Sequence, residues 1–181
     1  MAEKFKTYFK KPLLRILVLL LFISSWSCQQ DKKDSNDELS TMWSSFLSDL
    51  AARDKVAFKN ASGNVIRCYD CLENTPTERE YISRLRDTDS LWYETIYQDL
   101  IYISVDSFIA KDYDIMFNKP FINLLRTNET IQLMDTIDDT ITADILVTTT
   151  PPTLNFEGAQ HSFTFIKTNA GWKFKEVATI P

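Results

Sequence analysis

The hydrophobic period changes once along this chain, and that change constrains the fold more than any other feature. Before Asn128 apolar side chains recur at helical spacing, and after it they alternate. A period of about 3.6 residues gives a helix one apolar stripe, whereas a period of 2 gives a strand one apolar face. Helices first and antiparallel strands last make an α+β domain, with N-terminal helices packed on a C-terminal antiparallel sheet.

In the helical part, Leu39, Trp43, Phe46, Leu47 and Leu50 form one stripe, and Asn36 or Ser40 can cap that helix. Asn60-Ala61-Ser62-Gly63-Asn64 reads as a stop and turn, followed by a short extended segment over Val65–Tyr69. Thr75-Pro76-Thr77-Glu78 opens a second helix, with Pro in the first turn and an acid at the positive end of the dipole. Its expected stripe is Tyr81, Leu85, Trp92, Ile96 and Leu100, slackened at Asp87-Thr88-Asp89. One or two shorter helices are expected over residues 105–126, with Phe108, Ile109, Phe117, Phe121, Leu124 and Leu125 facing the core.

In the alternating part, Ile131/Leu133 and Ile141/Ala143/Ile145/Val147 flank an Asp138-Asp139 turn. Gln160–Thr168 and Gly171–Ile180 form a closing hairpin. Phe163 and Phe165 share one parity, and Trp172 and Phe174 share one parity on the partner strand, so aromatic pairs can meet on one face.

The first 27 residues differ in kind from the rest. Lys4, Lys6, Lys10, Lys11 and Arg15 precede the apolar run Ile16–Ile23, which Ser24-Ser25-Trp26-Ser27-Cys28 breaks. A basic start, a short apolar stretch and a small-residue end describe a secretory signal over residues 1–27. A spanning helix needs about 20 apolar residues, which argues against an uncleaved anchor or a buried helix. The stretch resembles the signal of bacterial lipoproteins, in which the Cys that ends the small-residue box is lipidated and becomes the first mature residue. The resemblance implies lipidation, palmitate included, at Cys28. Ser25 and Trp26 depart from that box, which lacks its usual apolar residue three places before the Cys. Residues 28–38 are polar and acidic, suited to a solvated tether. The acidic patch resembles those that accompany export to the outer surface in some Gram-negative lineages. The expected address is the cell envelope, at the outer membrane, on its periplasmic face or at the cell surface.

The folded domain is expected over residues 39–181. A first amphipathic helix, a further helical stretch, and a sheet ending in Phe163-Thr164-Phe165-Ile166-Lys167…Gly171-Trp172-Lys173-Phe174-Lys175-Glu176-Val177 are similar to NTF2-like (cystatin-like α+β) cone domains. The resemblance implies a curved sheet with a pocket between it and the helices. That fold hosts enzymes, binders and scaffolds alike, so it carries no activity with it.

Composition excludes several functions. Without residues 1–27 the chain keeps 15 basic and 24 acidic residues, a net charge of −9, which disfavours nucleic acid and anionic lipid as partners. Three Gly leave little room for a Gly-rich phosphate loop, and no GxGxxG or GxxxxGK[ST] string occurs. No metal site, cofactor or catalytic residue is assigned, and the membrane is reached through the N-terminal lipid.

Among residues that carry chemistry, Cys68 and Cys71 are the sharpest pair. An oxidising compartment favours a disulfide between them; a redox-active pair, half of a zinc site and free thiols are the alternatives. The single His, His161, shares parity with Phe163 and Phe165; with Trp172 and Phe174 these form the candidate pocket. The bland alternative is a hydrogen-bonded His at a strand end, and no GxSxG elbow supports a triad. Asp135, Asp138, Asp139 and Asp144 lack calcium-loop spacing and read as turn and solvent-facing residues. Trp43, Trp92, Tyr93, Tyr97, Trp172 and Phe174 line either a sugar or lipid cleft or the core. The leading expectation is a non-enzymatic binding or interaction module with a small-molecule or protein partner. The alternatives are a small hydrolase or isomerase using a carboxylate or His161, and a structural subunit pairing through its sheet.

Overall fold

A computed structural model of the chain describes residues 37–180. The expected signal over 1–27, the lipidated Cys28 and the tether as far as residue 36 lie outside the described residues. Asp37 and Glu38 are already helical, so the first helix, α1 (37–52), starts two residues before the expected boundary. The chain divides between residues 41 and 42 into two units. In the first, residues 37–41 form the opening turn of α1, where Thr41 Oγ1 donates to Asp37 O at 2.8 Å.

The second unit begins with the rest of α1. Then come α2 (Lys55–Ala61), β1 (Ser62–Cys68), a 3-10 turn over Asp70–Glu73, and α3 (Pro76–Thr88). A short α4 (Trp92–Glu94) widens into a π-helical turn over Thr95–Leu100, followed by β2 (Tyr102–Ser104), α5 (Val105–Lys111), α6 (Tyr113–Met116) and α7 (Lys119–Thr127). The chain closes with β3 (Thr130–Ile137), β4 (Thr140–Thr150), β5 (Ala159–Thr168) and β6 (Gly171–Ile180). The class is α+β. The sheet is curved and open, with strand order β2-β1-β6-β5-β4-β3.

Local signals account for most boundaries. Asp54 caps α2 by accepting from Val56 N and Ala57 N at 3.0 and 2.9 Å. Thr75 and Glu78 form a reciprocal capping box at α3, with Pro76 in its first turn. Ser104 caps α5 by accepting from Ser107 N, and Asn118 caps α7 by accepting from Phe121 N. At the β3–β4 turn Asp138 and Asp139 both have positive φ, 48° and 61°. That is the geometry of a two-residue hairpin turn whose twist matches its strands.

Several expectations are corrected. The sheet is mixed rather than wholly C-terminal and antiparallel: β1 runs parallel to β6 and carries β2 on its outer edge. The predicted stop at residues 60–64 is a direct helix-to-strand junction, where Ser62 Oγ donates to Phe58 O at 2.7 Å. The long second helix breaks at Asp89, whose extended backbone ends α3. Its inward residue is Ile82, while Tyr81 is exposed, because the break frees α3 to rotate its own stripe inward. Ile82, Ile96 and Ile101 form a small core of their own, flanked by Tyr69, Leu72, Leu85, Trp92, Tyr97 and Leu100. Residues 105–126 make three short helices with Phe108, Phe117 and Leu125 buried, and Leu124 is exposed. Ile131 and Leu133 point outward, because β3 pairs with β4 in a register that places Gln132 and Met134 opposite the buried Ile145 and Ala143.

One register shift decides the closing hairpin. Thr164 pairs with Glu176 but Phe165 pairs with Phe174, so Lys175 is an extra, exposed residue on β6. This bulge moves Val177 onto the aromatic face, opposite Phe163.

Candidate functional site

The candidate pocket residues are placed by β5 and β6. Phe163, Phe165 and Phe174 are fully buried and Trp172 nearly so. They do not border an open space at this row, because α1 and α2 press rings onto them. Phe46 lies 5.3 Å from Phe165 and 5.2 Å from Phe174, Trp43 lies 5.2 Å from Phe163, and Phe58 lies 5.8 Å from Phe174 (ring centroids). Phe108, Tyr113 and Phe117 extend this packing around Phe58. Each ring buries a large apolar area and the edge-to-face geometries add to it, so the row is a core. Trp172 closes one end, with the Lys167 ammonium 5.2 Å from its ring centre.

His161 lies at the other end of the row, half-buried, its ring 4.7 Å from that of Phe121 on α7. Both ring nitrogens are engaged. Nδ1 lies 2.9 Å from Thr149 Oγ1 and Nε2 lies 3.2 Å from Thr179 Oγ1. Thr149 is there because it is the extra residue of a second bulge, between Thr148 and Thr150 on β4. Thr179 donates its hydroxyl to Asp70 Oδ2 at 2.7 Å. Its oxygen therefore accepts from Nε2–H; in a neutral ring Nδ1 is then the acceptor, and the Thr149 hydroxyl, which also lies 3.3 Å from Ala159 O, turns to it across the shorter contact. Burial lowers the imidazole pKa below its ordinary value, and the Asp70 carboxylate opposes that shift. A neutral His with both nitrogens bonded acts as a strand-end clamp.

Asp70 belongs to the loop that Cys68 and Cys71 close. The two sulfurs are bonded, and both cysteines are buried where β1 passes into the 3-10 turn. The chain Cys loop–Asp70–Thr179–His161 thus joins β1's end to β6 and β5.

The remaining candidates separate. Asp138 and Asp139 form the hairpin turn, Asp135 accepts from Thr136 N, and Asp144 accepts from Thr164 on the neighbouring strand at 2.5 Å. Of the six aromatics weighed for a cleft, Trp43, Trp172 and Phe174 are core. Trp92, Tyr93 and Tyr97 instead form a ladder with Tyr69, in which successive ring centroids are 5.7, 4.6 and 5.5 Å apart. Tyr69 OH donates to Glu73 at 3.2 Å and accepts from Arg86.

A scan against protein-family models and a search of curated proteins give no match.

One buried carboxylate escaped sequence reasoning. Asp112, at the α5–α6 junction, accepts from Asn74 Nδ2 at 2.7 Å. Burial raises its pKa, and the Asn74 hydrogen bond offsets part of that. It pins the loop before α3 to the α5–α6 corner. Nothing in its sequence neighbourhood marks it, since its partner lies 38 residues away. Among the described residues no three His, Cys, Asp or Glu side chains gather as a metal site, and no helix is long and apolar enough to cross a membrane.

Proposed function

We propose that the chain is a lipid-anchored protein of the cell envelope, held through Cys28 at the outer membrane, whose NTF2-like α+β domain is a non-enzymatic binding or interaction module. The anchor rests on the basic start, short apolar run and Ser27-Cys28 end of the N-terminal segment. The curved, open sheet, whose last four strands follow the helices and whose closing hairpin packs under α1 and α2, supports the domain reading. The observation that carries the non-enzymatic reading is His161. The imidazole, the best general base available to the interior, has both nitrogens committed to Thr149 and Thr179. The aromatic row beside it is packed with rings from α1 and α2, leaving it a structural task.

Fractionation of expressing cells fed a clickable palmitate tests the anchor. The full chain should label and sediment with membranes, and Cys28→Ser should abolish the label and release the domain into the soluble fraction. An unlabelled wild-type chain, or one cleaved elsewhere without an acyl mass, overturns it.

A further inference from the structure

The described residues contain a cleft of 540 Å³ between the α1–α2 corner, α6 and α7. Its volume falls within the range of small-molecule sites, roughly 300–1,000 Å³. Arg53, Lys119 and Arg126 line it, and Asp114 is its one acid. Asp114 is already neutralised: it accepts from Arg53 and, at 2.8 Å, from Lys55. Lys119 and Arg126 have no hydrogen-bond or ion-pair partner among the described residues and face solvent. This concentration of positive charge stands on a chain with 20 basic against 25 acidic residues.

Arg53 holds its place at a backbone cost. The bonds Arg53 N→Leu50 O (3.1 Å) and Asp54 N→Asp49 O (3.0 Å) end α1 in the motif that usually takes Gly, and Arg53 has φ 58°. A left-handed backbone is unfavourable for a residue that carries a side chain. The guanidinium lies over the Tyr113 ring, 5.4 Å from its centre, and donates to Phe117 O and Asp114. Two of its five N–H groups are thus used. Strain of this kind, held in place by surrounding contacts, collects at binding sites.

Lys119 and Arg126 stand seven residues apart on α7, about 10 Å along the axis at 1.5 Å per residue. Ala51 and Ile122 supply apolar wall between them. We infer that this cleft binds a small organic dianion, with one acidic group on Arg126, the second on Lys119, and its carbon body against Ala51 and Ile122. The inference rests on the reading of the domain as a binding module.

Calorimetric titration of the full chain in neutral detergent with suberate, a dicarboxylate of about the right span, tests it. Saturable one-to-one binding is expected, weakened by added salt. Arg126→Gln and Lys119→Gln should each weaken it about tenfold, the size of one charge-assisted hydrogen bond. Lys175→Gln, on the exposed bulge of β6, should leave it unchanged. Arg53→Gly suits the left-handed backbone better and should also lose affinity. Octanoate, with one carboxylate, should bind about tenfold more weakly than suberate. Absence of saturable heat overturns the inference, and so does octanoate equal to suberate. Saturable binding indifferent to the α7 variants overturns the cleft assignment and leaves the binding-module reading standing. Failure of the anchor shows independently, in the fractionation.

Discussion

Phe165 and Phe174 face each other across the closing hairpin with ring centroids 5.6 Å apart, and neither reaches solvent. Phe46 of α1 touches both rings, at 5.3 and 5.2 Å, so this pair is where the helices are fastened to the sheet. Truncating a buried Phe loses its transfer energy and leaves a cavity, together about 3–5 kcal/mol. Phe165→Ala should therefore lower the free energy of unfolding by that amount in a denaturant titration. Lys175→Ala, on the exposed bulge, should stay within about 0.5 kcal/mol. Equal and small effects would show that the aromatic row is not a core.

His161 makes stability depend on pH. Its folded pKa is depressed, chiefly by burial. The unfolded chain, with an ordinary His pKa of about 6.5, then binds more protons than the folded one just below that pH. Stability is thus fully present above about pH 6.5 and declines as the pH falls from there toward the folded pKa. Comparing unfolding midpoints of the wild type and His161→Gln across pH 7.5 to 5 (about one unit either side of the His range) should show this slope lost in the variant. A wild-type curve flat over that interval counts against a desolvated imidazole.

The Cys68–Cys71 bond closes a four-residue loop. On the chain-entropy model such a short loop contributes only about 2 kcal/mol. Cys68→Ala with Cys71→Ala should lower stability by about that much and leave the far-ultraviolet circular dichroism unchanged. Because both cysteines are buried, Cys68 and Cys71 of the native protein should react with a thiol reagent only after reduction in denaturant.

The Asp138-Asp139 turn places two side-chain-bearing residues at positive φ. Asn-Gly is the preferred pair for that geometry. Asp138→Asn with Asp139→Gly should raise the thermal midpoint, since Asn and Gly adopt the positive φ of this turn more readily than Asp does. A fall in the midpoint would mean the two carboxylates do something other than turn the chain.

Much of this protein is legible in its sequence because caps, turns and hydrophobic periods act over a few residues. The Thr75–Glu78 capping box, the Asp138-Asp139 turn, the α1 stripe of Trp43, Phe46 and Leu50, and the inward row of Phe163, Phe165, Trp172 and Phe174 were all readable there. The α+β class and the run of strands after Asn128 were readable too. Tertiary structure decided what depends on distant partners. The parallel docking of β1 on β6, with Arg67 bonded to Glu176 109 residues away, has no local signature. Its pairing has to offset the entropy of closing a long loop onto a particular neighbour, and no short-range pattern encodes that choice. The bulges at Thr149 and Lys175 decide which side chain meets His161 and on which face Val177 lies; alternation alone places such residues wrongly after one inserted residue. The cationic cleft is likewise invisible in sequence. Arg53, Asp114, Lys119 and Arg126 lie on three separate segments, and only the packing of α6 and α7 against the α1–α2 corner brings their charges into one volume.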